Sequence, residues 1–395
     1  MNRAISTSVL ATAIGALSIK IFLALTTYGT NDILFFEGYL EAFRHGGLDE
    51  LYRVGASLQV NGGEYHREPC WHPPFVINYL LALDWLSHTT ALPPRAWMKI
   101  LSSMADFGSF ILLARMASSR QLNLVLIGLA PISILVTGFH GGTDAVMIFF
   151  LIAATFALER NSRIGVAGAL FAFSCSIKLW PLIFTPAFLF FIKDWKKRLV
   201  FGAVASTTWI AAGLPYLVQD PVLIITKILS YRSVDLLWGL RIVGKLTHPA
   251  VDSFFDHYGS MALFALIGLL TWRLARQHAS LHVSVGLICI FFLVATPGFG
   301  YQYLLWLTPA LIILSAAEIA AIQTAGTVFL GYTYLYYADS HWLANVLVKP
   351  RPAASVVLGI AAWMCLLLVL VRRIRQLKSE PLPQSEVLKT RVSSI

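Results

Sequence analysis

The residues best suited to chemistry gather where apolar runs end. Asp32 follows directly on the first such run, in Tyr28-Gly29-Thr30-Asn31-Asp32-Ile33-Leu34-Phe35-Phe36-Glu37. A carboxylate at a membrane rim can face a half-buried cavity, where desolvation raises its basicity and suits it to general-base work. The same residue, or Asn31, could instead cap a helix over 33–44 by accepting from its free N–H groups. The two roles are compatible. Glu37 and Glu41 lie four apart on that helix, either as a second acidic pair or as a solvated face.

Further candidates recur along the chain. In Trp71-His72-Pro73-Pro74 the prolines fix the entry to an apolar helix, and His72 is either a site donor or a polar residue at the water boundary. Phe139-His140-Gly141-Gly142-Thr143-Asp144 joins two apolar runs, its glycines reading as a helix break and Asp144 as a helix cap or substrate contact. Lys178 sits in Ser176-Ile177-Lys178-Leu179-Trp180-Pro181, between two more. An ionisable group embedded there is a functional candidate by default, with snorkelling to headgroups as the alternative. A later loop carries Arg232, Arg241, Lys245 and His257. In Pro297-Gly298-Phe299-Gly300-Tyr301-Gln302-Tyr303 the tyrosines suit an interfacial belt, and Gln302 is the better hydrogen-bonding group.

The elements that must position these residues are membrane helices. Of 395 residues 57% are hydrophobic and 13% charged, against roughly 25% charged in a soluble domain. Apolar runs of about 16–22 residues suit the hydrocarbon core, and the alternation of a β-barrel is missing. The expected fold is an all-α polytopic membrane protein with about 12 transmembrane helices. A single membrane domain covers 1–375, and a disordered cytoplasmic tail covers 376–395. The formal charge of +10 does not indicate nucleic acid, because the basic residues cluster at alternate helix ends. Lys193, Lys196, Lys197 and Arg198 form one inner anchor, and Arg372, Arg373, Arg375 and Lys378 another. This pattern places both termini in the cytoplasm and leaves two long extracytoplasmic loops, 28–95 and 218–258. It requires 74–88 to be a juxtamembrane helix lying on the outer surface rather than a span. The first apolar run reads as a retained span and not a cleaved signal. Cys70, Cys175, Cys289 and Cys365 stand singly, with no metal-pair spacing. No internal repeat of the kind that builds a transporter is visible. A transporter or flippase-like component of glycolipid or polysaccharide assembly is the rival class.

Asp32 after the first span, Gly46-Gly47 with Tyr52 downstream, His72-Pro73-Pro74, Gly142 with Asp144, Lys178-Leu179-Trp180-Pro181 and Pro297–Tyr303 occur in one order on one face. Together they resemble the GT-C superfamily of glycosyltransferases, nearest its bacterial α-mannosyltransferase-like branch, glycosyltransferase family 87. The resemblance implies an integral protein of a bacterial plasma membrane that takes a sugar, here mannose, from a polyprenyl-phosphate donor. The acceptor would be a lipid, a glycan or a protein, reached at the outer face among membrane lipids. The family's loop acid falls on Asp32, which would act as base in an inverting transfer. The departing phosphate would be met by Lys178, Arg232 and Arg241, with His72, Asp144 and Gln302 as further substrate contacts. Where some relatives have two adjacent acids this chain has Asn31-Asp32, so no metal or other cofactor is expected.

Overall fold

The computed structural model describes residues 5–60, 64–117, 121–231, 238–337 and 352–379. These are overwhelmingly helical. Among the described residues, six helices are long and apolar enough to cross a membrane: α1 (Thr7–Thr26), Pro94–Met116, Gln121–His140, Trp195–Leu217, Pro249–Arg276 and a segment within the last helix, Ala353–Leu377. Four further apolar segments are shorter: Ile164–Ile177, Trp180–Phe191, Leu281–Ala295 and Tyr301–Ile313. At 1.5 Å per residue, a helix of 14 residues reaches only about 21 Å, short of a roughly 30 Å core. Backbone breaks account for the shortness. Tyr301–Ile313 winds as a 3-10 helix around Pro309, and Trp180–Phe184 is 3-10 before the chain turns α-helical at Thr185. Leu281–Ala295 is buried around most of its circumference, so protein surrounds it and lipid does not.

The remaining elements follow in chain order. α2 (Asn31–Asp49) leads through a π turn to a two-stranded antiparallel hairpin, β1 (Ala56–Val60) and β2 (Glu64–Glu68). Then come α3 (Phe75–Thr90), α4 (Pro94–Met116) and α5 (Gln121–His140), the last broken at Pro131 and ending in a π turn. Next are α6 (Asp144–Glu159), α7 (Ile164–Ile177), α8 (Trp180–Phe191) and α9 (Trp195–Leu217). After these run α10 (Pro221–Leu229), α11 (Leu240–Thr247), α12 (Pro249–Arg276) and α13 (Leu281–Ala295). The 3-10 helix Tyr301–Ile313 precedes α14 (Ala316–Tyr337) and α15 (Pro352–Ser379).

Three expectations change. The segment 28–95 holds a small hairpin as well as helices. α12 begins at Pro249 and so takes in residues 249–258 of the loop expected over 218–258; Pro249 occupies its first turn and His248 accepts from the Ala250 amide. The tail expected to be disordered from 376 is helical through Ser379. Leu377 holds it, packed against Leu274, Val283 and Leu287, while Gln277 Nε2 donates to the Leu377 carbonyl at 3.3 Å. Residues 380–395 lie outside the described residues.

Two close approaches bring the site together. Gly29 has φ 115° and lies where an added Cβ would sit 3.0 Å from the His140 carbonyl oxygen. Gly141, at φ 77°, would collide with Ile33 and Lys99. Only glycine lets the α1–α2 turn and the α5–α6 turn meet there. Fully buried Lys99, from α4, clamps the first turn. Its Nζ donates to the Thr27 carbonyl at 2.5 Å, Thr27 Oγ1 at 3.2 Å and the Tyr28 carbonyl at 3.3 Å. Deeper in the bundle, Lys20 pairs with Asp106 and donates to Ser133 Oγ at 2.7 Å, tying α1, α4 and α5 together. A buried charge in such a place persists only when paired.

Candidate active site

Asp32 sits in the first turn of α2, yet it does not cap that helix. Thr30 occupies the cap position and makes no capping hydrogen bond. Both side chains turn instead to His140. The imidazole Nε2 lies 3.1 Å from Asp32 Oδ2, and its Nδ1 lies 2.7 Å from Thr30 Oγ1. Nε2–H is donated to the carboxylate, and the Nδ1–threonine hydrogen bond runs in whichever direction the ring's protonation sets. His140 is buried and stacked on Tyr334, ring centroids 5.2 Å apart at 14°. Gln302 Nε2 donates to the same Oδ2 at 3.2 Å. Both donors therefore converge on Oδ2, and the Asp32 side chain remains 34% exposed on the cavity wall.

A second group faces the first. Lys178 stands extended between α7 and α8, and its Nζ donates to Asp144 Oδ1 at 2.8 Å and Oδ2 at 2.9 Å. Trp306 Nε1 donates to Asp144 Oδ1 at 2.7 Å. Asp144 thus serves as counter-ion to Lys178, from the first turn of α6. Its side chain is only 4% exposed against 16% for Lys178, so the ammonium is the member of the pair that reaches the cavity. Trp306 stacks on Tyr303 at 3.8 Å and on Trp180 at 4.2 Å, and Lys178 Nζ lies 5.8 Å from both the Tyr303 and Trp306 ring centroids. Tyr231 and Tyr303 share a hydroxyl hydrogen bond of 2.9 Å. His72 Nδ1 lies 3.4 Å from the Ile177 carbonyl. A carbonyl only accepts, so Nδ1 carries the hydrogen and Nε2 is an acceptor.

These groups line one cavity of about 690 Å³, within the roughly 300–1,000 Å³ of sites that enclose small molecules. It takes in Asp32, His72, Asp144, Lys178 and Gln302. Trp71, whose Nε1 donates to Glu68 Oε1 at 2.9 Å, forms part of one side, and Phe255 and His257 of α12 part of another. Arg232 lies outside the described residues. Arg241 falls on α11, but its side chain is outside them too. The acidic pair does not form. Glu37 accepts from Tyr28 at 2.8 Å and meets Arg95 at 3.6 Å, while Glu41 is 74% exposed beside His45. His140 and Trp306 carry no spacing that would single them out, although the glycines after His140 mark the tight turn that delivers it.

The electrostatics correct one expectation about Asp32. Burial pushes its carboxyl up, but the charge and hydrogen bond of His140, with Lys178 and His72 behind them, pull it below the ordinary carboxylate value. Asp32 is therefore a firmly ionised, weak base rather than a strengthened one. Burial, and then the charge of Lys178, lower His72 to about 4, so His72 is neutral near pH 7 and offers a lone pair.

An ionised carboxylate and a buried lysine share one aromatic-walled cavity at the ends of membrane helices, a setting suited to a polar substrate. Glycosyltransferase family 87 matches the chain over residues 71–297, more than half its length, and the chain belongs to that family. It is thus a membrane glycosyltransferase of GT-C type. No curated protein matches it.

Proposed function

We propose that the cavity transfers mannose from a polyprenyl-phosphate carrier to a lipid, glycan or protein acceptor, with inversion and without a metal. The observation that carries this reading is the Asp32 carboxylate, anchored through Oδ2 by His140 and Gln302 with its other oxygen uncommitted among the described residues. Oδ1 takes the acceptor hydroxyl's proton as that oxygen attacks the anomeric carbon. The bond from that carbon to the phosphate oxygen breaks on the opposite face, and the sugar inverts. Because the hydroxyl grows acidic as its new bond forms, a weak but fully ionised base serves. Lys178 keeps one N–H beyond the two given to Asp144 and directs it at the leaving phosphate; Arg232 and Arg241 would add charge. His72 Nε2 accepts from a sugar hydroxyl, and the Tyr303–Trp306 stack covers a sugar face.

The cavity lies at one end of α6 and α13, and the basic run 193–198 at the other, which supports an outer-face cavity with cytoplasmic termini in a bacterial plasma membrane. The purified chain should be incubated with a panel of polyprenyl-phosphate sugars and candidate acceptors. Mass spectrometry then identifies the product and NMR its anomeric configuration. Transfer with inversion from the mannosyl donor is expected. Transfer only from nucleotide sugars, or retention at the anomeric carbon, would overturn the reading.

A further inference from the structure

A second cavity, about 310 Å³, lies where α6 and α13 have their opposite ends. Asp144 starts α6 at the first cavity and Glu159 ends it at the second. α13 runs the other way, from Ser280 and Ser284 at the second cavity to Phe292 at the first. A helix of this length sets the two sites about 22 Å apart.

Three donors in this cleft are uncommitted among the described residues. Lys193 and Lys197 line it and form neither a salt bridge nor a hydrogen bond. Ser280, the cap residue of α13, is 3% exposed, and its hydroxyl has no partner. The acids of the cleft are already engaged. Glu159 accepts from the His282 amide at 2.9 Å and lies 2.8 Å from His282 Nδ1. Asp194 accepts from the Lys196 amide at 2.9 Å as the cap of α9. Two ammonium groups, a buried hydroxyl and a helix N-terminus lacking its side-chain cap together call for an anion with several acceptor oxygens.

The surroundings fix the source of that anion. Trp195, 62% exposed, and Leu199, 60% exposed, begin the α9 span beside the lysines, and Phe190 on the cavity wall is 44% exposed. Exposed tryptophan and lysine at the start of a span mark the boundary between hydrocarbon and headgroups. We propose that this cleft binds the phosphate of an anionic phospholipid headgroup, on the membrane face opposite the transfer cavity. The lysines hold the phosphate oxygens, Ser280 Oγ donates from below, and an acyl chain leaves along Phe190.

The test uses the full chain in nanodiscs of phosphatidylcholine with and without phosphatidylglycerol, reading retained lipid by native mass spectrometry. Phosphatidylglycerol should be retained preferentially, and Lys193→Gln with Lys197→Gln should weaken retention on the order of tenfold or more. Lys196→Gln, in the same basic run but not on the cavity wall, should leave it unchanged. Ser280→Ala keeps every charge and should lower it severalfold, which also serves if the double variant does not fold. Inorganic phosphate in lipid-free micelles should neither compete nor raise the melting temperature. Retention unaltered by Ser280→Ala, or an equal loss in Lys196→Gln, overturns a built site. Equal protection by inorganic phosphate overturns the lipid as its source.

Discussion

Replacing Asp32 with Asn separates chemistry from architecture more cleanly than the sequence suggests. Both hydrogen bonds to the carboxylate end on Oδ2, from His140 at 3.1 Å and Gln302 at 3.2 Å. An asparagine that places its carbonyl oxygen there keeps both, and only the uncommitted oxygen becomes an NH2 group. The bonds lose their charge assistance, but a neutral amide is also cheaper to bury than a carboxylate. Stability should therefore stay within about 1 kcal/mol of wild type. Activity should not survive. A lost general base costs typically 10²–10⁴-fold, or roughly 2.7–5.4 kcal/mol on the barrier. Asp32→Ala instead strands the donors of His140 and Gln302, at about 1–3 kcal/mol for a buried group left unpaired, and should lower the melting temperature as well. The assay is product formation from polyprenyl-phosphate mannose under saturating donor, with thermal unfolding of each variant alongside. An Asp32→Asn enzyme that keeps more than about a tenth of wild-type turnover would refute the assignment of the base.

Lys178→Gln should raise the apparent donor KM about tenfold or more, from the loss of a charge-assisted contact of about 1.5–3 kcal/mol; unchanged donor dependence would return Lys178 to a purely structural pairing. Asp144→Asn leaves the Lys178 ammonium without its counter-ion and should destabilise by about 3–5 kcal/mol, whereas Asp144→Leu combined with Lys178→Met should recover stability without activity. Burial lowers His72 from 6.5 to about 4, so the unfolded chain binds the extra proton between those values. Its contribution to stability is complete above about 6.5 and is lost as the pH falls towards 4. The melting temperature should decline across that window, and His72→Gln should blunt the decline. Because Asp32 is held below the ordinary carboxylate value, its ionisation should not limit kcat/KM at any pH above about 4, and an acid limb near pH 6 that Asp32→Glu shifts would contradict this. Exposed Ser57 on β1, changed to Cys in a background lacking the four natural cysteines, should react with a membrane-impermeant maleimide from outside intact cells; labelling only after permeabilisation would invert the topology.

The chain's own residues settle its class. Long apolar runs closed by basic clusters can satisfy their backbone only as membrane helices, and a polar residue that interrupts such a run stands out against them. Asp32, Lys178 and Gln302 could be picked out as candidates for that reason, because each is a polar side chain at the end of an apolar run. Span lengths were less legible. Hydropathy counts apolar residues, but the 3-10 winding at Pro309 and the burial of Leu281–Ala295 within protein depend on neighbours. The role of each polar group was not legible at all. An aspartate in the first turn of a helix reads as a cap, and nothing local shows that His140, 108 positions on, draws its carboxylate away. Nor does sequence reveal that Asp144 neutralises Lys178 while Trp306 holds that aspartate in place. Sign and strength in an electrostatic site are set by distances across the fold. Burial alone would have raised Asp32, and only the tertiary placement of His140, Lys178 and His72 reverses it.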